Sequence, residues 1–306
     1  MLSGEIIIND TKKVFKSGFI AVIGRPNVGK STLVNAIVGE KVAAVSDKPN
    51  TTRNRIKGIC NSDSCQMVFL DTPGIEQARG KLHKSMVQAS MSSIEEADII
   101  LLLIDASRPF TRGDREILDN VSSPVILVIN KIDKIIKHEL LPVIDRAKSY
   151  GEKISEIIPV SAEKSDGIEQ LKTVIEDNLP EGVRYFPDDI YTDQPERFLA
   201  AEIIREKIFN LTKEEIPYKT AVMVDEFKEN EKKGIIRIAA TVFVERKSHK
   251  GIIIGKQGEM LKTVGNQARL ELESILATKI FLELWVKVKE KWTENESLIR
   301  EIGYLN

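Results

Sequence analysis

The segment Gly24-Arg25-Pro26-Asn27-Val28-Gly29-Lys30-Ser31 determines the fold of the first half of this chain. It fits the pattern G-x-x-x-x-G-K-[ST], and it lies between an apolar run at 19–23 and a helical pattern that extends to about Gly39. In such a loop, consecutive backbone N–H groups face a phosphate, and the helix N-terminus adds partial positive charge. Lys30 is then expected to reach the β- and γ-phosphates, Ser31 to bind Mg²⁺, and Thr32 to lie beside the nucleotide.

The segment Asp71-Thr72-Pro73-Gly74 follows the next predicted buried strand. Asp71 is placed to hold Mg²⁺ through water, and the backbone N–H of Gly74 is placed to contact the γ-phosphate, a contact that hydrolysis would break. The pattern D-x-x-G is weak by itself, because strands often end in an Asp-containing turn. At this distance after a phosphate loop it indicates the second half of a nucleotide site.

Two further segments predict that the base is guanine. Asn130-Lys131-Ile132-Asp133 follows the run at 125–129, and Ser161-Ala162-Glu163-Lys164 follows the run at 157–160. The carboxylate of Asp133 can accept hydrogen bonds from N1–H and the exocyclic amine of guanine, a donor pair that adenine lacks, so it selects GTP over ATP. Ser161 and Ala162 would offer a backbone N–H to the guanine oxygen. The four motifs together predict binding of GTP and GDP with Mg²⁺.

The spacing of apolar runs predicts an α/β fold for the first half. Between Gly18 and about Leu179, continuous blocks of Val, Ile and Leu alternate with helical patterns, which is typical of strands covered on both faces. The sheet is therefore predicted to be mainly parallel, with helices on each side. Residues 55–61 alternate more and predict an antiparallel edge hairpin. The motifs that we assign to the nucleotide follow the predicted strands of this sheet.

A change in residue composition predicts a second domain. Residues 179–195 hold three prolines and a glycine without helical period, which indicates a linker. The order that follows is a helix at about 196–210, two alternating strands, a glycine loop, a helix at about 260–276 and a final strand, an α+β arrangement. We therefore expect an N-terminal extension at 1–17, a first domain at 18–180, a linker at 181–195 and a second domain at 196–306.

The glycine loop of the second domain is Gly255-Lys256-Gln257-Gly258. Glycines allow a close approach to a sugar-phosphate backbone, and a basic residue between them can neutralise a phosphate. Lys250 lies just before the loop and Lys262 just after it, in a domain that is otherwise balanced in charge. The loop, with these two lysines, is a candidate RNA-binding site. A lone G-x-x-G is a weak signal, and a helix-capping turn is the plainer interpretation of the glycines alone.

The ordered motifs resemble the GTPases of the translation-factor class, and the phosphate loop together with Thr51-Thr52-Arg53 is similar to the TrmE–Era branch. The resemblance implies that a threonine in the first switch, at about 41–54, coordinates Mg²⁺ when GTP is bound. We favour Thr52 over Thr51, although the sequence does not separate them. Arg53 is an arginine finger, a structural arginine or a contact to the phosphate backbone, and the last two are favoured over the finger.

Two other residues bear on the reaction. Ile75 stands where Ras-like enzymes carry a water-orienting glutamine, and an aliphatic side chain cannot orient water, so slow intrinsic hydrolysis is expected. Catalysis would then depend on Lys30, Thr52 and Gly74. Asn27 resembles the ligand of an activating K⁺ in this branch, and a hydrogen bond that stabilises the loop is the equally favoured alternative.

The second domain resembles KH domains of the type that begins with a helix, on the basis of its element order and its glycine loop. The segments 202–207, 284–289 and 302–304 are similar to second-domain motifs of one bacterial family within the same branch. The resemblance implies binding near the 3′ end of small-subunit ribosomal RNA, a role in assembling the small ribosomal subunit, and peripheral association with the inner face of the cell membrane. Trp285 is expected in the core, and Trp292 is left open.

Composition limits the remaining choices. The formal net charge is −1, so a nucleic-acid surface must come from local clustering. Cys60 and Cys65 lack the spacing of a metal site, and we expect a cytoplasmic monomer with reduced thiols. Two competing hypotheses remain open: an RNA-binding assembly factor in which GTP is mainly a structural ligand, and a GTPase whose second domain binds protein.

Overall fold

The computed structural model describes residues 14–49, 51–75, 80–108, 110–230 and 234–304. Residues 1–13, which make up most of the expected N-terminal extension, lie outside the described residues. The first strand, β1, begins at Lys16, two residues before the start that we expected for the first domain. The other predicted boundaries fall between elements.

The first domain is an α/β fold, as predicted. Its six-stranded sheet has the order β2-β3-β1-β4-β5-β6, in which β2 is antiparallel to β3 and every other neighbouring pair is parallel. The strands are β1 (Lys16–Gly24), β2 (Ile56–Asn61), β3 (Cys65–Asp71), β4 (Ile99–Asp105), β5 (Val125–Asn130) and β6 (Ile154–Pro159). The edge hairpin predicted at 55–61 is therefore confirmed.

Helices cover both faces of this sheet. They are α1 (Lys30–Val38), α2 (Gly80–Glu96), α3 (Arg112–Asp119), α4 (Lys137–Lys148) and α5 (Ile168–Asn178). Side chains alternate along β1, so Ile20 and Val22 join the core beneath α1 and α5, whereas Ala21 and Ile23 join the core beneath α3 and α4. Burial on both faces explains why the strands are continuous apolar runs in the sequence.

The second domain has two helices that we did not predict. Its elements are α6 (Glu196–Leu211), β7 (Thr220–Asn230), β8 (Ile235–Val244), α7 (Lys247–Ile254), α8 (Glu259–Ile275), β9 (Lys279–Val288) and α9 (Glu296–Ile302). The sheet has the order β7-β8-β9, antiparallel and then parallel. We missed α7 and α9 because they have eight and seven residues, too few to display a helical period in the sequence.

The segment expected to be a linker lies against the first sheet. Gln66 on β3 accepts hydrogen bonds from the backbone N–H groups of Tyr185 (2.7 Å) and Phe186 (3.0 Å) and donates one of 2.8 Å to the carbonyl of Phe186. The N–H of Ile59 on β2 donates to the carbonyl of Tyr191 at 2.8 Å. The connection is thus docked along β2 and β3.

The two tryptophans lie in different environments. The expectation that Trp285 is a core residue is wrong, because 61% of its surface is exposed on the face of β9 that points away from α6 and α8. Trp292 is fully buried, and its indole N–H donates to the carbonyl of Lys219 at 3.0 Å. It packs with Leu82 and Met86 of α2, so it joins the two domains. Within the described ranges, every helix is too short or too polar to cross a membrane.

Candidate GTP site and RNA-binding loop

The phosphate loop lies between β1 and α1, where the motif predicted it. Gly29 has φ of 96°, in the left-handed region, and a Cβ at this position would collide with the side-chain amide of Asn130. Lys30 is 7% exposed, and its ammonium donates to the carbonyl oxygens of Gly24 (3.3 Å) and Arg25 (3.1 Å). The lysine therefore reaches back across the loop that surrounds the expected phosphate position.

Three oxygen-bearing side chains meet beside the loop. The hydroxyl of Ser31 lies 2.7 Å from Asp71 Oδ2 and 2.8 Å from the hydroxyl of Thr52. The other oxygen of Asp71, Oδ1, is buried and has no hydrogen-bond partner among the described residues. Burial raises the pKa of Asp71 to about 6, against the opposing effects of the Ser31 hydrogen bond and the Lys30 charge. Oxygen donors and an unpartnered carboxylate oxygen suit a hard divalent cation such as Mg²⁺.

The hydroxyl groups of the two threonines have different partners. Thr52 contacts Ser31, whereas the hydroxyl of Thr51 points the other way and donates to the carbonyl of Lys48 at 2.9 Å. Arg53 is 3% exposed and donates to backbone carbonyls of the second domain. Its guanidinium also lies over the rings of Trp292 and Tyr304. Arg53 is therefore engaged in the domain interface, a structural role that is one of the two alternatives favoured over an arginine finger.

The third strand and its motif are held against the phosphate loop. A Cβ on Gly74 would come within 2.7 Å of Pro26, so only glycine allows the two loops this close. The N–H of Ile75 donates to the carbonyl of Gly24 at 3.2 Å, while the hydroxyl of Thr72 donates to the carbonyl of Val22 at 2.8 Å. The Ile75 side chain packs on the apolar core beneath α3 and α4. It has no group that could orient a water molecule.

The base-recognition motifs also come together. The side chain of Asn130 donates to the carbonyl of Val28 (2.8 Å) and accepts from the N–H of Ala162 (3.0 Å), so it ties the phosphate loop to the last motif. Asp133 is exposed and accepts a hydrogen bond of 2.5 Å from the hydroxyl of Ser161. The N–H of Ala162, which we expected to contact guanine, donates its hydrogen bond to the side chain of Asn130 in this structure. Its contact with guanine stays a prediction.

Sequence reasoning missed part of this cleft. Asp105, at the carboxyl end of β4, accepts from the hydroxyl (2.6 Å) and the N–H (3.0 Å) of Ser107 and from the ammonium of Lys131 (2.9 Å). Burial would raise its pKa, but these hydrogen bonds and the Lys131 charge outweigh burial and lower the pKa. A carboxylate at the carboxyl end of a parallel strand was the available signal. The cleft is also lined by residues of the first switch and of the loop after β4, namely Val45, Ser46, Asp47, Ser107 and Arg108.

The side-chain amide of Asn27 donates to the carbonyl of Asp47 in the first switch. Asn27 itself has φ of 65°. The loop-stabilising hydrogen bond that we considered for this residue is therefore present.

The G-x-x-G loop joins α7 to α8. Gly255 and Gly258 have φ of 75° and 82°, and Gln257 between them has φ of 52°. A Cβ on Gly255 would approach Met260 at 2.7 Å, whereas a Cβ on Gly258 would meet no atom within 4 Å. Lys256 and Lys262 are exposed, and Lys250 is half-buried. The loop thus presents backbone and positive charge to solvent.

A groove begins at this loop and runs between α8 and β9. Its floor is apolar, formed by Leu261, Leu282 and Leu284, and its rim carries polar and basic side chains. Those rim residues are Lys262, Thr263, Asn266, Gln267 and Arg269. An apolar floor suits nucleobases and a basic rim suits phosphates. The sequence alone did not reveal this groove because its two walls are separate elements.

Comparisons with known proteins find a matching family for each of the two domains. A family model described as 50S ribosome-binding GTPase matches residues 19–131, and a model described as KH domain matches residues 215–293. A tyrosine-to-alanine variant of Era from Aquifex aeolicus, bound to GDP·AlF₄⁻, has a TM-score of 0.93 and 44% identity over 95% of this chain and 100% of that chain. Era in complex with MgGDPNP and nucleotides 1506–1542 of 16S ribosomal RNA has a TM-score of 0.92 and 44% identity over the same shares.

Curated relatives extend over nearly the same length. The GTPase Era of Geobacter metallireducens is 52% identical over 295 residues, which are 95% of this chain and 98% of that protein. The GTPase Era of Geotalea uraniireducens is 54% identical over 299 residues, 96% of this chain and 99% of the relative. The chain is a GTPase, and it belongs to the Era family.

Proposed function

We propose that this GTPase is a switch in which GTP controls how an RNA-binding domain holds ribosomal RNA. One observation carries the proposal: the first switch makes hydrogen bonds directly to α6 of the second domain. The N–H of Val45 donates to Glu206 at 2.9 Å, and the hydroxyl of Ser46 donates to Asn210 at 2.5 Å. A segment that changes with the γ-phosphate is therefore in contact with the KH domain.

The proposed nucleotide site follows the geometry of the cleft. The loop from Gly24 to Thr32 would surround the phosphates, and the segments 71–74, 130–133 and 161–162 would complete the site. Ser31, Thr52 and Asp71 would hold Mg²⁺, which would neutralise charge on the β- and γ-phosphates. Lys30 would bind the same oxygens, and the N–H of Gly74 would bind the γ-phosphate. Phosphoryl transfer to water would be slow, because Ile75 cannot orient the nucleophile.

A monovalent cation is a finer part of the proposal. Asn27 lies within the phosphate loop, and its side-chain carbonyl oxygen is the atom that would bind K⁺. The hydrogen bond from its amide to Asp47 holds the side chain against the first switch. If K⁺ acts here, replacing K⁺ by Na⁺ at constant ionic strength slows hydrolysis. Equal rates in the two salts would leave Asn27 with the loop-stabilising role alone.

The proposed RNA ligand is a single strand near the 3′ end of small-subunit ribosomal RNA. The relative solved with nucleotides 1506–1542 of 16S ribosomal RNA supports this choice. Lys250, Lys256 and Lys262 would neutralise phosphates, while Gly255, Gln257 and Gly258 would present backbone to the strand. We further propose that the protein assists assembly of the small ribosomal subunit.

Several broader expectations join this proposal. We propose four segments, namely an extension at 1–17, a GTPase domain at 18–180, a connection at 181–195 and a KH domain at 196–306. We also propose a monomer in the cytoplasm, with peripheral association at the inner face of the cell membrane. Sedimentation of the purified protein and fractionation of cells test these two points.

Cross-linking to RNA in a cell extract tests the proposal, with either a GTP analogue or GDP present. Gly258→Asp and Gly258→Asn are a matched pair, because both side chains tolerate left-handed backbone and only one is charged. We expect reads to concentrate at the 3′ end of small-subunit ribosomal RNA, to depend on the nucleotide, and to be lost in the aspartate variant far more than in the asparagine variant. Reads that are scattered over many RNAs and are the same in the aspartate and asparagine variants would contradict RNA binding by this loop.

The hypothesis that GTP is mainly a structural ligand is tested with Lys30→Ala. A switch retains its folding stability and its RNA binding in this variant but loses hydrolysis and nucleotide dependence. A structural ligand site would instead lose folding stability along with nucleotide affinity.

A further inference from the structure

Arg205 of α6 is buried beside the switch residue that we propose as a magnesium ligand. Its side chain is fully buried, and its Nη2 donates to the carbonyl oxygen of Thr51, the residue before Thr52. Glu202, 4% exposed and one turn earlier on α6, pairs with the same guanidinium; its Oε1 accepts from Nε at 2.8 Å. A charged donor held this way gives a stronger hydrogen bond to a backbone carbonyl than a neutral one.

The residue on the other side of Thr52, Arg53, is tied to the second domain through its side chain. The guanidinium of Arg53 donates to three carbonyl oxygens at the start of β7 and in the turn before it, Pro217 (3.1 Å), Tyr218 (3.0 Å) and Thr220 (2.7 Å). Thr52 is thus held between two contacts to the second domain, while its hydroxyl lies 2.8 Å from Ser31. Its side chain faces the first domain, while the residues before and after it are tied to the second.

We propose that Arg205 is a positioning residue for GTP hydrolysis, and that the KH domain completes the magnesium site by holding Thr52 through the Thr51 carbonyl. This inference rests on the proposed role of Thr52 as a magnesium ligand. The isolated first switch would have to lose backbone freedom each time that Thr52 bound the metal, which costs conformational entropy. The docked switch has already lost that freedom, so the ligand is pre-organised.

Further contacts hold the earlier part of the switch, residues 41–48, against the second domain without involving Thr52. Lys41 pairs with Glu206 at 2.8 Å and also with Glu271 of α8. Lys48 donates to the carbonyl oxygens of Phe209 and Thr212. These contacts lie four or more residues before Thr52 in the chain. The Arg205 contact is on the adjoining peptide, so it bears most directly on where the Thr52 hydroxyl lies.

A double-mutant cycle separates positioning from a general structural role. The variants are Arg205→Met, Thr52→Ala and both together, in the full chain. Arg197→Met is the matched control, because Arg197 is also on α6 and also donates to a backbone carbonyl, that of Val224 at 2.8 Å, but within its own domain. One readout is the Mg²⁺ concentration that gives half-maximal single-turnover hydrolysis. The other, which needs no nucleotide, is hydrogen exchange of the peptide at 45–54.

We expect Arg205→Met to raise the half-maximal Mg²⁺ concentration by about tenfold when Thr52 is present, which is about 1.4 kcal/mol. In the Thr52→Ala background, the same change should raise it by less than about twofold, since the ligand that Arg205 positions is already gone. Exchange at 45–54 should become faster in Arg205→Met and stay unchanged in Arg197→Met. GDP affinity, which needs no γ-phosphate contact, should change little.

Other results would overturn the inference. If Arg205→Met changes the half-maximal Mg²⁺ concentration equally in both backgrounds, Arg205 has a general structural role. If it changes this concentration in neither, the contact with Thr51 does not contribute to hydrolysis. If Thr52→Ala leaves the Mg²⁺ dependence unchanged, the proposed role of Thr52 is wrong, which is a separate failure. Arg205→Met leaves Glu202 buried without its partner and could unfold the chain. The cycle is therefore repeated with Glu202→Gln, which keeps the Arg205 guanidinium but weakens the interaction that holds it in place. The same non-additive pattern at smaller size is expected.

Discussion

The guanidinium of Arg53 donates a hydrogen bond of 2.7 Å to the carbonyl oxygen of Thr220, the first residue of β7. Arg53 directly follows Thr52, whose hydroxyl lies in the proposed magnesium site, yet its charge is directed into the interface between the domains. Burial is the main reason that its pKa is lowered, and the nearby Tyr304 acts in the opposite direction. An arginine committed to three carbonyl oxygens is part of the scaffold that carries the switch.

Replacement of Arg53 by methionine should mainly reduce stability. Three carbonyl oxygens would lose a buried charged donor, so we expect a loss of about 3 kcal/mol in the free energy of unfolding. Single-turnover hydrolysis at saturating Mg²⁺ should fall by less than about tenfold, whereas loss of an arginine finger costs about 10³–10⁵. Arg55→Met removes only a partly exposed pair with Glu96 and serves as the control. A rate loss of the larger size with unchanged stability would restore the finger hypothesis.

The two threonines should differ in their effect on magnesium. Thr52→Ala removes the hydroxyl beside Ser31, and we expect the half-maximal Mg²⁺ concentration for hydrolysis to rise by at least about tenfold. Thr51→Ala removes only a hydrogen bond to the carbonyl of Lys48, so the Mg²⁺ dependence should be unchanged. Titration of hydrolysis with Mg²⁺ makes the comparison. The reverse ranking would show that Thr51 is the ligand in the GTP state.

Asp133→Asn should change the base that the enzyme prefers. An asparagine presents one donor and one acceptor where the carboxylate presents two acceptors, so it mismatches the N1–H and amine pair of guanine and matches the N1–H and carbonyl of xanthine. We expect affinity for GTP to fall by about a hundredfold or more and affinity for xanthosine triphosphate to rise. Asp119→Asn removes an equal charge from an exposed ion pair with Lys153 and should change neither affinity. Competition with a fluorescent nucleotide measures both.

Charge reversal at Lys256 should weaken RNA binding without regard to base sequence. Lys256→Glu replaces a proposed phosphate contact by repulsion, so affinity should fall and the slope of log K against log salt should decrease by about one or more. Lys287→Glu makes the same change of net charge on β9, on the side of the sheet away from α8, and should have a small effect. Filter binding over a range of salt concentrations distinguishes the two. Equal losses would mean that only net charge matters.

The ion cluster that joins Lys41, Lys207 and Glu271 should make stability depend on acid. Burial opposes ionisation of Glu271, but hydrogen bonds from Lys207 and Lys41 outweigh it and lower its pKa below the usual 4.5. A lowered pKa contributes stability above the unfolded value that is lost as pH falls through the folded value. Glu271→Gln should therefore cost about 1 kcal/mol at pH 7 and almost nothing well below pH 4. Urea unfolding measured across pH tests this, with Glu229→Gln as the control. A difference in the free energy of unfolding between Glu271→Gln and the unaltered protein that stays the same at every pH would contradict it.

The sheet of the first domain, and the strand-to-helix turns on which the proposed nucleotide site depends, could be predicted from the sequence alone. Continuous apolar runs can be satisfied only by strands buried on both faces, and the strand-to-helix turns that follow them carry the phosphate, metal and base motifs in order. The G-x-x-G loop was recognisable for the same local reason, since left-handed backbone at Gly255 and Gly258 favours glycine at both ends of a short loop. These are properties of a few neighbouring residues.

Roles that depend on distant partners became visible only once the two domains were packed together. The sequence could not show that Arg53 points into the second domain, that Trp285 is exposed while Trp292 is buried, or that the connection at 181–195 is docked on β2 and β3. It carried no signal that Arg205 meets the carbonyl of Thr51, because the two residues are 154 positions apart. Side-chain direction and burial at an interface follow from how two folded domains pack, and no periodicity within either segment encodes that packing.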